Sequence, residues 1–146
     1  MHQVNRQAIV KYNAQNMFDL VNDVKSYPEF LKWCNESHVI EKQTDNMIAG
    51  MTISLAGIKK QFTTKNEFIK SNENYQINLS LIKGPFENLI GNWIFTHLTG
   101  NASKIELHLE FNFKSGFLNN AFKRAFGKIA QQLVSDFVKR ANHVYG

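Results

Sequence analysis

The sequence contains few of the residues that mark disulfide-rich, repetitive or unfolded chains. Its 146 residues include one cysteine, two prolines and eight glycines. A single cysteine excludes an internal disulfide and a cysteine metal cage, and so little proline and glycine excludes collagen-like and linker-rich chains. No apolar run approaches the roughly 20 residues that span a bilayer, and the first residues lack the apolar stretch of a secretory signal. We therefore expect a cytoplasmic protein in which residues 1–146 form a single domain.

The motifs of common enzyme classes are also missing from the sequence. Its five histidines are scattered without the spacing of a zinc site, and there is neither a Gly-x-Ser-x-Gly motif nor a glycine-rich phosphate loop. Asp19, Asp23 and Glu29 are close in sequence, but no pattern indicates that they share a pocket. Cys34 is typical of a small buried residue, with a reactive thiol as the alternative. We expect no catalytic residues, no metal and no enzymatic activity.

Positive charge is concentrated at the C-terminal end of the chain. Residues 1–113 contain 11 basic and 11 acidic residues, whereas residues 114–146 contain six basic residues and only Asp136. The net charge of +5 therefore falls on the last quarter of the sequence. Such a surface can bind phosphate on anionic lipid or on RNA, although a solvated helix face has the same pattern. The residues expected to contact an anionic surface are Lys123, Arg124, Lys128, Lys139 and Arg140.

The hydrophobic periodicity predicts a strand, two short helices, six strands and one long helix. Residues 4–10 alternate weakly as a strand, and Asn13 is a candidate N-cap for the first helix. Pro28 is expected at the head of the second short helix, whose apolar side would be formed by residues 30–33. From residue 36 the period is two, most clearly over residues 104–113. After Gly116 it returns to 3.6, and an apolar stripe from Leu118 to Ala141 predicts a helix of roughly 30 residues.

Three parts of the sequence resemble one known family. They are the string Leu-Val-Asn-Asp-Val-Lys-Ser-Tyr-Pro-Glu-Phe-Leu-Lys-Trp-Cys at positions 20–34, the set Gly84-Pro85-Phe86 with Leu89, Trp93 and Phe95, and the C-terminal set Phe126-Gly127, Ala130, Phe137, Arg140-Ala141 and Val144-Tyr145. In these residues the chain resembles the coenzyme Q-binding and RatA family of START-like proteins. The resemblance spans nearly the whole chain.

The resemblance implies an α+β, helix-grip (START-like) fold. In that fold a curved seven-stranded antiparallel sheet wraps around a long C-terminal helix, and two short helices follow the first strand. The order of elements read from the periodicity agrees with it, because a sheet with one apolar face needs a cover. The resemblance also implies a hydrophobic tunnel between sheet and helix, occupied by ubiquinone or a similar isoprenoid lipid as a ligand, with no catalytic cofactor.

Residues for this tunnel can be assigned from the apolar faces of the predicted elements. The expected lining consists of Met47, Met51, Ile53, Phe62, Phe68, Ile77, Leu79, Trp93, Phe95, Leu107, Leu109, Phe111, Phe122, Phe126, Ile129, Leu133 and Phe137. The expected tunnel mouth consists of Tyr27, Pro28, Phe30, Leu31 and Trp33. For each lining residue the alternative is plain core packing, and for the mouth it is a plug that fixes the short helices to the sheet.

Two functions from different classes remain open. The first is a lipid-binding protein that carries ubiquinone for respiratory electron transport or quinone biosynthesis, with its basic helix against the inner-membrane surface. The second is a RatA-type toxin that binds the large ribosomal subunit through the basic helix and blocks subunit association, which inhibits translation. An aromatase or cyclase activity, as in some START-like relatives, is disfavoured because the sequence lacks convergent acid–base groups.

Overall fold

The computed structural model describes residues 2–146, and the elements follow the predicted order. Strand β1 (His2–Val10) is followed by helix α1 (Ala14–Asn22) and a 3-10 helix (Val24–Glu29). The next six strands are β2 (Cys34–Lys42), β3 (Asn46–Leu55), β4 (Ile58–Ser71), β5 (Asn74–Lys83), β6 (Phe86–His97) and β7 (Ser103–Phe113). The chain ends in helix α2 (Asn120–Tyr145).

The seven strands form one antiparallel sheet in the order β1-β7-β6-β5-β4-β3-β2. The two short helices carry the chain from one edge strand, β1, to the other, β2. Register shifts between Cys34 and Glu36 in β2 and between Thr63 and Thr64 in β4 mark irregularities of the kind that bend strands. The sheet is curved, and the predicted helix-grip fold is confirmed.

The core lies between the concave face of the sheet and α2. In β7, Ile105, Leu107 and Leu109 are buried and alternate with more exposed polar residues, as the period of two predicts. Six residues of α2 at helical spacing face them, namely Phe122, Phe126, Ala130, Val134, Phe137 and Ala141. Within residues 2–146, none of the helices has both the length and the apolar character needed to cross a membrane.

The long helix begins later than its apolar stripe predicted. The side chain of Asn119 accepts a hydrogen bond of 2.8 Å from the backbone N–H of Phe122, which caps the helix. Leu118 therefore precedes the helix, and it is 78% exposed instead of buried in the stripe. The prediction for Leu118 is wrong because apolar spacing alone does not show where the cap lies.

The second short helix also differs from its prediction. It is a 3-10 helix in which Pro28 is the fifth of six residues, not the first. The backbone N–H of Ser26 donates to the carbonyl of Asp23, so the helix starts directly after α1. Residues 30–33 consequently form a loop beyond the helix, and Cys34 is the first residue of β2.

Candidate ligand-binding cavity

A cavity of about 110 Å³ lies between the sheet and the middle of α2. No charged side chain among residues 2–146 lines it, and the polar groups on its wall in this part of the chain are the side chains of Asn22, Thr64 and Asn66, the hydroxyl of Tyr27 and the indole N–H groups of the two tryptophans. The wall comprises Val21, Asn22, Val24, Tyr27, Leu31, Trp33, Ala49, Met51, Phe62, Thr64, Asn66, Ile77, Leu79, Leu89, Trp93, Leu109, Phe126, Ile129, Ala130, Leu133 and Phe137. An apolar wall of this kind favours an apolar ligand.

Phe137 of α2 joins three parts of the cavity wall. Its ring makes edge-to-face contacts with Trp93 of the sheet, Tyr27 of the 3-10 helix and Phe30 of the following loop, at centroid distances of 5.3, 5.5 and 5.2 Å. The hydroxyl of Tyr27 donates to the carbonyl oxygen of Val21 near the end of α1. Burial raises the pKa of the Tyr27 phenol, so it remains a protonated donor. These contacts fix the short helices against α2.

Ten of the residues predicted to line the tunnel lie on the cavity wall. They are Met51, Phe62, Ile77, Leu79, Trp93, Leu109, Phe126, Ile129, Leu133 and Phe137. They come from β3, β4, β5, β6, β7 and α2, which the alternating and helical periods assigned to one shared interior. The periodicity therefore predicts the correct side of each element, and whether these residues bind a ligand stays a prediction.

Seven predicted lining residues do not lie on the cavity wall but in the packed core around it. They are Met47, Ile53, Phe68, Phe95, Leu107, Phe111 and Phe122. Phe68 and Phe95 pack edge-to-face on Phe18 of α1, at 5.7 and 6.0 Å, so α1 fills that end of the interior. Phe111 packs on Phe126 at 4.9 Å toward the start of α2. The tunnel lining is thus shorter than predicted, because both ends of the concave face are closed by aromatic packing.

Eight wall residues were not among the predicted ones. They are Val21, Asn22, Val24, Ala49, Thr64, Asn66, Leu89 and Ala130. Thr64 and Asn66 alternate with Phe62 and Phe68 on the same face of β4, so strand parity was the signal that placed them inside. They were not predicted because they are polar, and a tunnel for an apolar lipid is expected to be lined by apolar side chains.

Only some of the residues predicted to form the tunnel mouth lie at the cavity. Tyr27, Leu31 and Trp33 contribute to the cavity wall, whereas Pro28 and Phe30 do not. Phe30 instead packs on Phe137 and under the guanidinium of Arg140, whose carbon lies 4.9 Å from the ring centroid. This half of the segment acts as a plug that attaches the short helices to α2, the alternative that the sequence left open.

Cys34 is buried at the start of β2, with 3% of its surface exposed. Burial raises the pKa of its thiol, an effect opposed by a hydrogen bond with Ser37. The thiolate is the nucleophile in alkylation, so both burial and the raised pKa slow the reaction. We expect a thiol-reactive dye at pH 7.5 to label native Cys34 at least tenfold more slowly than the urea-unfolded protein. Mass spectrometry measures the labelling of both states. Equal rates would contradict the packing described for this residue.

Only some of the residues predicted to contact an anionic surface are exposed. Arg124, Lys128 and Lys139 are exposed on α2, and Lys123 is half-buried. We refer to Arg124, Lys128 and Lys139 as the basic face. On a helix these three positions lie within one side, opposite the buried stripe. A contact to this face would leave the buried stripe of the helix undisturbed.

Arg140 does not belong to this free surface. Its side chain is only 15% exposed, and its Nη2 lies 2.9 Å from Oε1 of Glu29. Its guanidinium group therefore contacts both the Glu29 carboxylate and the Phe30 ring within the protein. The prediction that Arg140 contacts an anionic surface is therefore corrected: the residue ties α2 to the 3-10 helix.

No group of three or more histidine, cysteine, aspartate or glutamate side chains within residues 2–146 is placed to hold a metal ion.

The fold and the cavity together define the class of protein. A curved antiparallel sheet that closes an apolar cavity against a C-terminal helix is the START-like architecture. A solved START superfamily protein from Mycobacterium smegmatis has this fold, with a TM-score of 0.79, 16% identity and 99% of each chain covered.

The sequence comparisons identify the family. The family described as polyketide cyclase / dehydrase and lipid transport matches residues 10–138, and this chain belongs to it. The chain is 44% identical over 146 residues to the ribosome association toxin RatA of Vibrio cholerae, covering 100% of this chain and 99% of that protein. It is 26% identical over 141 residues to the mitochondrial coenzyme Q-binding protein COQ10 of Dictyostelium discoideum, covering 94% of this chain and 67% of that protein. The predicted coenzyme Q-binding and RatA family is thereby confirmed.

Proposed function

We propose that this protein is a non-enzymatic lipid-binding protein that holds ubiquinone, or a similar isoprenoid quinone, in the cavity. The observation that carries the proposal is the uncharged wall of the cavity between the sheet and α2. Burial of isoprenoid surface contributes roughly 25 cal/mol per Å², and the relative named coenzyme Q-binding protein supports a quinone as the ligand. Such a protein would serve respiratory electron transport or quinone biosynthesis.

The size of the cavity sets a condition on this binding. Its volume of about 110 Å³ is below the roughly 300 Å³ at the lower end for small-molecule sites. A prenylated ring must therefore widen the cavity as it enters. Trp33 and Met51 on one side and Ile129 and Leu133 on the other are only half-buried wall residues. We expect the widening there, where few surrounding atoms have to move and the flexible Met51 can adapt.

Intrinsic fluorescence offers a direct test of quinone binding. The chain has two tryptophans, Trp33 and Trp93, and both lie on the cavity wall. A bound short-chain ubiquinone should therefore quench most of the tryptophan emission at saturation. In parallel, lipids extracted from the purified protein should contain a quinone by mass spectrometry. Absence of a co-purified isoprenoid together with absence of quenching would refute the proposal.

Filling the cavity should abolish this binding. Ala130 is a buried wall residue in α2, whereas Ala125 on the same helix is half-buried and lies off the wall. We expect Ala130→Leu to weaken ubiquinone binding at least tenfold, because the added carbon atoms occupy the ligand's space. Its melting temperature should change little, since the cavity accepts those atoms. Ala125→Leu is the matched control and should bind as the unmodified protein does.

Ribosome association is the second candidate, favoured by the 44% identity to RatA over the whole chain. In this case the basic face, Arg124, Lys128 and Lys139, would contact phosphates of the large ribosomal subunit. Such contacts weaken as salt rises, because binding releases counterions. The cavity and the basic face are separate surfaces, so one protein can have both activities. Contact of the basic face with the anionic inner-membrane surface also stays a prediction, testable by sedimentation with anionic vesicles.

Sedimentation with ribosomal subunits tests the second candidate. The protein should co-migrate with purified large subunits at low salt and reduce their assembly with small subunits. Reversing the basic face with Arg124→Glu, Lys128→Glu and Lys139→Glu should lower binding at least tenfold. Lys11→Glu, Lys25→Glu and Lys65→Glu change the net charge equally at exposed positions elsewhere and should bind more strongly than the first variant. Equal losses in both triple variants would indicate a net-charge effect and no specific surface.

A further inference from the structure

Three polar side chains interrupt the apolar wall of the cavity. Thr64 and Asn66 of β4 are only 9% and 7% exposed, and Asn22 is at the end of α1. A strand places residues two apart on the same face, so Thr64 and Asn66 point to the same side of the sheet. A cavity that only had to hold a hydrocarbon would need none of these three groups.

The neighbouring strands offer Thr64 and Asn66 no polar side chain across the sheet. Asn66 lies between Met47 of β3 and Leu79 of β5 in the strand register. Thr64 lies likewise between apolar residues, Ala49 and Leu81. The two polar side chains therefore pair with each other: the Thr64 hydroxyl donates to Oδ1 of Asn66 at 2.8 Å.

This pairing leaves hydrogen-bonding capacity unused inside the cavity. The hydrogen bond from Thr64 occupies Oδ1 of Asn66 and does not involve the donors of the Asn66 NH₂ group. Oδ1 of Asn22 is buried and without a hydrogen-bond partner among residues 2–146. A buried polar group without a partner costs stability, so such groups are uncommon in folded proteins. Moreover, the Thr64–Asn66 bond links two residues of one strand and adds no connection between strands.

We infer that Asn66, oriented by Thr64, and Asn22 form a polar subsite that binds an oxygen atom of an otherwise apolar ligand. The Asn66 amide donates a hydrogen bond to this oxygen. Asn22 contributes an acceptor, which a hydroxyl group of an isoprenoid can satisfy and a carbonyl oxygen or a hydrocarbon cannot. The subsite therefore selects an isoprenoid with a hydroxyl group, such as a prenyl alcohol or the reduced hydroquinone form, over a hydrocarbon of the same skeleton. This inference rests on the proposed ligand binding in the cavity and names the ligand's recognised group.

Farnesol and farnesene test the inference, because they share a carbon skeleton and only farnesol has a hydroxyl group. Binding of each is measured by the change in tryptophan fluorescence and by the shift in melting temperature. We expect the unmodified protein to bind farnesol at least tenfold more tightly. The double variant Thr64→Val, Asn66→Leu should lose this preference while it retains farnesene binding, and its melting temperature should be equal or higher. Thr63→Val is the matched control, since Thr63 is equally buried on β4 but off the cavity wall.

A second variant covers the case in which the double variant does not fold. Asn22→Leu changes the acceptor at the end of α1, where the side chain is half-buried, and should reduce the preference for farnesol at least threefold. Equal affinity of the unmodified protein for both probes would overturn the polar subsite but leave apolar ligand binding intact. Binding of neither probe, and of no quinone, would refute the proposed function itself. A loss of both probes in the double variant with Thr63→Val unchanged would show that the pair maintains the cavity's shape and would overturn its role in selection.

Discussion

Replacing Phe137 with alanine is expected to destabilise the folded protein by about 3–5 kcal/mol, the range for deleting a buried aromatic ring. The Phe137 side chain is 1% exposed, and its ring touches Trp93, Tyr27 and Phe30. The deletion would join the empty space to the existing cavity of about 110 Å³. Because a larger void is less able to collapse, we expect a value in the upper part of that range.

Urea unfolding followed by circular dichroism measures this effect. Val144→Ala is the control on the same helix, since Val144 is 47% exposed and should change the free energy of unfolding by no more than about 0.5 kcal/mol. A loss below about 1 kcal/mol for Phe137→Ala would mean that Phe137 does not hold the short helices against α2. The same variant should also bind a short-chain ubiquinone more tightly, because its enlarged cavity no longer has to widen as far.

The order and type of the elements could be predicted from the sequence because each rests on a local period. In β7 the alternation of Ile105, Leu107 and Leu109 with polar residues is enough to define a strand with one buried face. In α2 the stripe containing Phe126, Ala130 and Phe137 defines a helix in the same way. The period does not show at which residue a helix begins. The predictions for Leu118 and Pro28 were wrong for this reason.

The cavity itself was harder to predict, because period and polarity do not show how well an interior is filled. Phe95 and Trp93 lie on the same face of β6, yet Phe95 is packed against Phe18 and only Trp93 reaches the cavity. The difference depends on where α1 packs against the sheet. That position is set by contacts between residues far apart in the sequence. The role of Arg140 could not be predicted for the same reason, since Glu29 is 111 positions away in the sequence.

Two glycine-to-alanine substitutions should change stability in opposite directions. Gly91 in β6 lies directly opposite Leu109 in β7. A Cβ atom at position 91 would overlap the backbone carbonyl oxygen of His108 and lie 3.0 Å from Cα of Leu109. Backbone atoms of a paired strand cannot move aside as a flexible side chain can. We therefore expect Gly91→Ala to separate β6 from β7 locally and to lower the free energy of unfolding by about 3 kcal/mol.

Gly127 in α2 provides the matched control for the substitution at Gly91. No atom beyond the helix's own neighbouring backbone lies within 4 Å of a Cβ built at position 127. Alanine there should raise the free energy of unfolding by about 0.5–1 kcal/mol, because it reduces the backbone freedom of the unfolded chain without a clash. Both values follow from urea unfolding under identical conditions. A stabilising effect at both positions would show that β6 and β7 can part without cost, and the close approach of Gly91 to Leu109 would then not be required for the fold.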